Sequence, residues 1–372
     1  ILWVEDTMFN LSEIENEINE EENREKENRL LEMEKVVQIT IRDCDEKQLD
    51  ILGSTFDEYL VSGPAGSGKS MIAMIKAMEL YNNNINFRII IYTKALSEFI
   101  IGKLKRVDIK NIKDYILCGE KFEKENLLEN VDYIIIDEVQ DFGMNNITFC
   151  SDRVNHGCFL FGDDSQQVYP RRTHNIDIIK ELKDSGIKHF ELEKSYRFPK
   201  KIALFSELIK NTPGDISNLC IEEGGDENTP KMIEFENMDS EMTYIVDTIN
   251  NEGWKDVGIL VRNNDMAQKV YDNLRKKGCV CDYKINDDIK LDFTNDNPKI
   301  ITYHSSKGLE FERVFIPQCD VYEDDSTNLN LKEALYVACT RSSKTLILSY
   351  IKNFKSPFLS GINSKYYKFE RR

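Results

Sequence analysis

Tyr59-Leu-Val-Ser-Gly63-Pro-Ala-Gly66-Ser67-Gly68-Lys69-Ser70, followed by Met-Ile-Ala-Met-Ile-Lys-Ala-Met-Glu-Leu80, joins a short apolar run to a helical stretch through a loop of the form GxxxxGK[ST]. The glycines let consecutive backbone N–H groups wrap around phosphate without side chains in the way. The following helix points its partially positive N-terminus at the same anion. Lys69 is then placed to bring a point charge to the β- and γ-phosphates, and the Ser70 hydroxyl to serve as a ligand for Mg²⁺.

Working outward, a second apolar run, Tyr133-Ile-Ile-Ile, ends in Asp137-Glu138-Val-Gln140-Asp141. Asp137, at the end of a strand, is expected to hold Mg²⁺ directly or through water. Glu138 is expected to orient and deprotonate an attacking water. Together the two stretches predict a nucleoside triphosphatase. Around them EYLVSG, FRIIIYT, DYIIIDE, CFLFGD, KHFELE, KMIEFE, VGILVR, KIITYH and RVFIPQ read as buried strands, most of them alternating with amphipathic segments. That alternation predicts parallel α/β sheets. The turn-rich stretch 211–230 falls between two such units, giving a first unit over 40–210 and a second over 211–372.

Composition bounds the partners. The 372 residues carry a net charge of −17, a sign that opposes a surface built for duplex DNA. Residues 1–50 hold 16 acidic and 6 basic side chains, leaving 50 and 43 in the remainder, so most of the excess lies at the front of the chain. Residues 1–39 read as an acidic helical arm, either docking a protein partner or packing on its own domain. Nine scattered cysteines without a CxxC pair, beside four histidines, argue against structural zinc or a disulfide framework and fit a reducing cytoplasm. No apolar run reaches the length needed to span a bilayer, so no membrane partner is expected. The chain opens on Ile1 rather than Met, which leaves room for sequence upstream.

From about residue 45 to 360 the chain resembles the superfamily-one helicases of the UvrD/Rep type, through stretches that occur in the family's order. Asp45-Glu-Lys-Gln48 is similar to the motif whose glutamine reads adenine. Ile91-Tyr92-Thr93-Lys94-Ala-Leu-Ser-Glu98 resembles motif Ia, which touches single-stranded nucleic acid. Phe161-Gly-Asp163-Asp-Ser-Gln166-Gln-Val-Tyr169 resembles motif III, whose glutamine senses the γ-phosphate. Leu192-Glu-Lys-Ser-Tyr196-Arg197 resembles motif IV, whose tyrosine stacks on the base and whose arginine reaches the γ-phosphate. Thr302-Tyr-His304-Ser-Ser-Lys307-Gly308-Leu-Glu310-Phe311 resembles motif V, which bridges nucleic-acid backbone and nucleotide ribose. Leu335-Tyr336-Val-Ala-Cys-Thr340-Arg341 resembles motif VI, which supplies an arginine finger from the second unit.

The resemblance implies two tandem RecA-like P-loop NTPase domains with parallel sheets behind the acidic arm. It implies Lys69, Glu138, Gln166, Arg197 and Arg341 in hydrolysis, and Ser70 and Asp137 on Mg²⁺. Gln48, Gly63, Gly66, Ser67, Gly68, Lys69, Ser70, Tyr196, Gly308 and Glu310 fall on ATP. Tyr92, Thr93, Lys94, Tyr169, Arg171, Thr302, His304 and Lys307 fall on the strand. Basic text at 101–115 and 194–201 suits such a track.

The chain departs from the family at Arg171, where a base-stacking Trp is common, and at Ile91 and Thr93 in motif Ia. Only 34 residues separate Glu98 from Tyr133 and 104 separate Arg197 from Thr302, so the family's large insertions are reduced to vestiges. The resemblance therefore implies an ATP-driven translocase on single-stranded nucleic acid, DNA ahead of RNA, in the bacterial cytoplasm, with duplex unwinding dependent on a partner. The alternative is a nucleotide-gated adaptor whose arm recruits or controls a nuclease or other effector. Stimulation of ATPase by single strands separates the two.

Overall fold

The computed structural model describes residues 44–105, 112–119, 131–163, 177–197, 199–210, 215–285, 290–321 and 329–372. The acidic arm, Gln166, Tyr169, Arg171 and residues 106–111 of the basic stretch 101–115 lie outside the described residues.

The first unit is a six-stranded parallel sheet in the order β3-β2-β4-β5-β1-β6. Its strands are β1 (Tyr59–Ser62), β2 (Phe87–Ile91), β3 (Ile116–Cys118), β4 (Val131–Asp137), β5 (Val154–Gly162) and β6 (Lys188–Glu191). Helices α1 (Glu46–Leu52), α2 (Lys69–Asn82), α3 (Lys94–Lys105), α4 (Met144–Ser151) and α5 (Ile178–Asp184) cover it. Each crossover between parallel neighbours needs a long connection, which these helices supply. Coverage on both faces is why β1 is buried at every position and carries no inside–outside alternation.

The second unit is a seven-stranded parallel sheet in the order β13-β7-β12-β11-β8-β10-β9. It comprises β7 (Lys231–Phe235), β8 (Val257–Val261), β9 (Asp282–Tyr283), β10 (Lys299–Thr302), β11 (Phe311–Ile316), β12 (Ser342–Ile351) and β13 (Lys368–Arg371). Two parallel sheets fit the tandem RecA-like architecture. All nine strands named from the sequence are present.

Helix α6 (Lys200–Lys210), which the sequence places in the first unit, packs against the second. Ile202, Phe205 and Ile209 share an apolar cluster with Leu335 and Tyr336. These last two lie on the second unit's helix running from Leu329 to Cys339. Phe205 also meets Tyr367 edge to face, and Lys210 sits over the Tyr336 ring. The chain thus crosses between the units just after Arg197, beside the phosphate loop.

Among the described residues no helix is long and apolar enough to cross a membrane.

Candidate nucleotide site between the two sheets

In open parallel sheets ligands collect beyond the carboxyl ends of the strands. At the end of β1 the chain turns through Gly63–Gly68 and enters α2 at Lys69. Gly66 (φ +76°) and Gly68 (φ +95°) hold left-handed backbone, and neither has room for a side chain. A Cβ on Gly66 would come within 2.3 Å of Arg197 Cβ, and one on Gly68 within 2.6 Å of Gln48 Nε2. The loop is braced from behind by Tyr196 N–H on Gly66 O (2.9 Å) and Ser195 Oγ–H on Ala65 O (2.7 Å). Lys69 Nζ donates to Gly63 O (2.7 Å) and Pro64 O (2.9 Å).

Gln48 does something other than face a base. Its Nε2 donates to Ser67 O (2.8 Å), and its Oε1 accepts from Asp45 N–H (3.0 Å) within the capping box that starts α1. With 3% of the residue exposed, the amide braces the phosphate loop. Tyr196, 41% exposed, reaches the same corner through its hydroxyl, which donates to the Asp45 carboxylate.

The metal candidates meet. Ser70 Oγ–H donates to Asp137 Oδ2 (2.8 Å) at the end of β4. Burial, reinforced by the neighbouring Glu138 charge, pushes the Asp137 carboxyl up to about 6, although the Ser70 hydroxyl and Lys69 pull the other way. A part-buried hydroxyl–carboxylate pair whose anion lacks sufficient counter-charge is a donor set suited to a hard dication such as Mg²⁺.

Glu138 follows in the left-handed region (φ 57°, ψ 45°). Burial works against its charge, but Lys307, Lys69 and Arg341 outweigh it and hold the carboxyl below its usual range. Its Oε2 accepts from Gln140 Nε2 (2.5 Å), and Gln140 Oε1 accepts from Asp163 N–H (3.1 Å) at the end of β5. Gln140, to which the sequence assigned no role, thus ties the carboxylate of one motif to the backbone of another.

The second unit completes the site with residues that precede β11 and β12. Arg341, 1% exposed, is fixed by Val337 O (2.9 Å), Leu309 O (3.3 Å) and Thr340 Oγ1 (3.0 Å). Burial, with the Arg197 charge nearby, lowers its pKa to about 10, which leaves it a cation at neutral pH. Arg197 Nε lies 3.3 Å from Glu310 Oε2. Gly66, Ser67, Gly68, Lys69, Ser70, Glu138, Tyr196, Arg197, Gly308, Glu310 and Arg341 all line one cavity of about 330 Å³. Its apolar wall comes from Met71 and Met74 of α2 and from Leu96, Phe99 and Ile100 of α3.

The residues expected on the strand are dispersed. Lys307 is 1% exposed and donates to both oxygens of Asp141 (2.6 and 2.7 Å), with Glu138 Oε2 at 3.7 Å. This buried cross-unit pair withdraws Lys307 from any surface. Thr302 is 7% exposed, and its hydroxyl bonds with Ser305. Thr93 Oγ1 accepts from Leu96 N–H (3.2 Å) at the start of α3, Tyr92 is half-buried edge-on against Phe142, and Lys94 is half-buried. His304 is half-buried, which lowers its pKa.

Residues 285–353 match the family described as UvrD-like helicase C-terminal domain. The chain is 24% identical over 316 residues to a putative ATP-dependent DNA helicase of Acanthamoeba polyphaga mimivirus, covering 73% of this chain and 44% of that protein. It is 39% identical over 72 residues to the RecBCD enzyme subunit RecB of Chlamydia pneumoniae, covering 19% of this chain and 7% of that one. A solved C-terminal domain of a possible DNA helicase from Lactobacillus plantarum superposes with a TM-score of 0.36 at 20% identity, over 47% of this chain and 98% of that one. The chain spans less than half the length of these curated relatives. Part of its second unit thus matches the UvrD-like helicase C-terminal domain, and the chain is distantly homologous to a putative ATP-dependent DNA helicase and to RecB.

Proposed function

We propose that the chain hydrolyses ATP between its two units and uses the cycle to move along single-stranded nucleic acid, DNA in the first instance. The observation that carries this reading is the shared cavity: phosphate loop, carboxylate and arginines from both units line one volume of about 330 Å³. Phosphoryl transfer is accelerated by positioning and by cancelling charge on the γ-phosphoryl oxygens. Glu138, held ionised by three cations, is the group to accept a proton from water. Arg341 and Arg197 supply positive charge from either side, and the buried backbone partners of Arg341 hold its guanidinium in place. Ser70 and Asp137 would hold Mg²⁺, which would supply further charge neutralisation on the phosphates. Because Arg341 belongs to the second unit, catalysis requires the units to be closed. A strand gripped by both units would then be stepped as the cleft opens and shuts.

The DNA-helicase relatives favour DNA as the strand. The test is ATP turnover by the purified chain with and without single-stranded DNA or RNA at low salt, with Lys69→Ala and Glu138→Gln as inactive controls. Stimulation by DNA supports the motor. Turnover indifferent to either polymer refutes it and leaves the nucleotide-gated adaptor. Arg341→Ala is expected to cut turnover by about 10³-fold or more while ATP binding persists. An unchanged rate removes the finger role.

A further inference from the structure

Helix α3 faces two ways. Leu96, Phe99 and Ile100 look into the nucleotide cavity. Lys94, Glu98 and Gly102, spaced four residues apart and so on one face, line a second cavity of about 340 Å³, closed on its far side by residues 290–294 of the second unit.

There Glu98 holds the other unit at two points. Oε1 accepts from Lys284 Nζ (2.9 Å) and Oε2 accepts from Leu291 N–H (3.0 Å). The Glu98 and Lys284 side chains are 14% and 7% exposed, so the pair is shielded from water. Alongside, Phe99 meets Phe293 edge to face at 5.4 Å, and a Cβ on Gly102 would come within 2.9 Å of Phe293 Cβ. Lys284 is anchored in turn: its N–H donates to Ile300 O (3.0 Å) on β10, the strand that leads into Thr302 and on to Gly308 and Glu310.

We propose that Glu98, paired with Lys284, is a positioning residue for hydrolysis. The pair latches Lys284 and residues 290–293 onto α3 and sets the register in which Glu310 and Arg341 reach the cavity. This rests on the ATPase reading above. The physical reason is asymmetry. A shielded ion pair that also satisfies a backbone N–H tolerates one geometry, and a partly open seam would leave a carboxylate and an ammonium desolvated without each other. Helix α3 begins at Lys94, so a strand engaging that end lies against the helix that carries the latch.

The experiment uses the full chain and four proteins: the parent, Glu98→Gln, Lys284→Met, and the exchange Glu98→Lys with Lys284→Glu. Each is checked by thermal melting for a folded state. Steady-state ATPase, affinity for a fluorescent ATP analogue, and hydrogen exchange at the Leu291 amide are then measured. Both single variants are expected to lose at least tenfold in kcat with nucleotide Kd within threefold of the parent. The charge exchange is expected to recover most of that loss, and Leu291 exchange to quicken at least tenfold in Glu98→Gln. Singles with parental kcat, or an exchange variant no better than the singles, would overturn the positioning role. Unchanged Leu291 exchange in Glu98→Gln would overturn the latch whatever the turnover. A parent that hydrolyses no ATP while Leu291 responds would overturn the ATPase reading and the positioning role with it, leaving the latch as a structural contact.

Discussion

Replacing Asp137 by Asn should stabilise the protein at pH 8 while destroying its activity. The Asp137 residue is 2% exposed, and burial followed by the Glu138 charge lifts its carboxyl from an ordinary 3.8 to about 6. That rise corresponds to about 3 kcal/mol spent by the folded state in keeping the group ionised at pH 8. The folded pKa lies above the unfolded one. The group's stabilising contribution is therefore complete below about pH 4 and disappears as pH rises through about 6. Asn cannot ionise, and its amide can keep both hydrogen bonds: Oδ1 accepts from Glu138 N–H, now 3.0 Å from Asp137 Oδ1, while Nδ2 donates to a Ser70 hydroxyl turned around. Allowing for imperfect replacement, the gain at pH 8 should be roughly 1–3 kcal/mol, shrinking towards zero at pH 4.5. Urea unfolding of both proteins at the two pH values, in EDTA and without nucleotide, measures it. An Asn variant no more stable than the parent at pH 8, or a gain identical at both pH values, refutes the reasoning. Added Mg²⁺ should narrow the gap, because a cation bound at the site stabilises only the carboxylate protein.

The other expectations concern the polar network. Lys307→Met should cost about 3–5 kcal/mol in urea unfolding because it strands a buried Asp141, and adding Asp141→Leu should recover most of this; a single variant as stable as the parent would show the pair to be dispensable. Gln140→Ala cuts the tie between Asp163 N–H and Glu138, and should lower turnover about 10²-fold at unchanged nucleotide affinity, read by steady-state kinetics beside a binding titration. Gln48→Ala should weaken ATP and GTP alike, by roughly 1–3 kcal/mol from the unpaired Ser67 O and Asp45 N–H; competition against a fluorescent nucleotide would refute the bracing role if only ATP suffered.

What the sequence made legible was what chemistry confines to a short stretch. A phosphate loop needs its glycines, lysine and hydroxyl within eight residues, and a strand ending in two acids announces itself. Most of the nine strands could be named because buried parallel strands are largely apolar. Strand β3, with three residues, and β9, with two, carry too little text to register. Strand β12 begins at Ser342, with only Thr340 and Arg341 between it and the end of the preceding helix and no turn signal there to mark it off. Pairings across the chain left no local trace. Asp141 and Lys307 are 166 residues apart, and Glu98 and Lys284 are 186 apart. Lys307 therefore read as a contact to the nucleic-acid strand, although the fold buries it. Gln48 is a different case. The spacing Asp45-x-x-Gln48 is itself a helix-capping signature, and weighing it would have shown both functions of the amide engaged within the protein.

Among the described residues, three charge pairs that cross between the units differ in burial, which ranks how each can behave in a cycle. Lys307 with Asp141 is almost wholly enclosed, at 1% exposure on both sides, and Lys284 with Glu98 nearly so. Breaking either leaves a charge without solvent or partner, so these two favour closure as an all-or-none event. Arg197 with Glu310 differs. Its side chains are 15% and 42% exposed, and the pair lies on the wall of the nucleotide cavity. With Glu310 so open to water, the pair is worth about 1 kcal/mol or less, and a phosphate offers the same guanidinium a stronger, more highly charged acceptor. Exchange of Glu310 for phosphate at Arg197 therefore costs little and leaves both enclosed pairs intact. In the proposed cycle the nucleotide thus captures a cation that Glu310 already holds in place, while the buried pairs keep Arg341 in register.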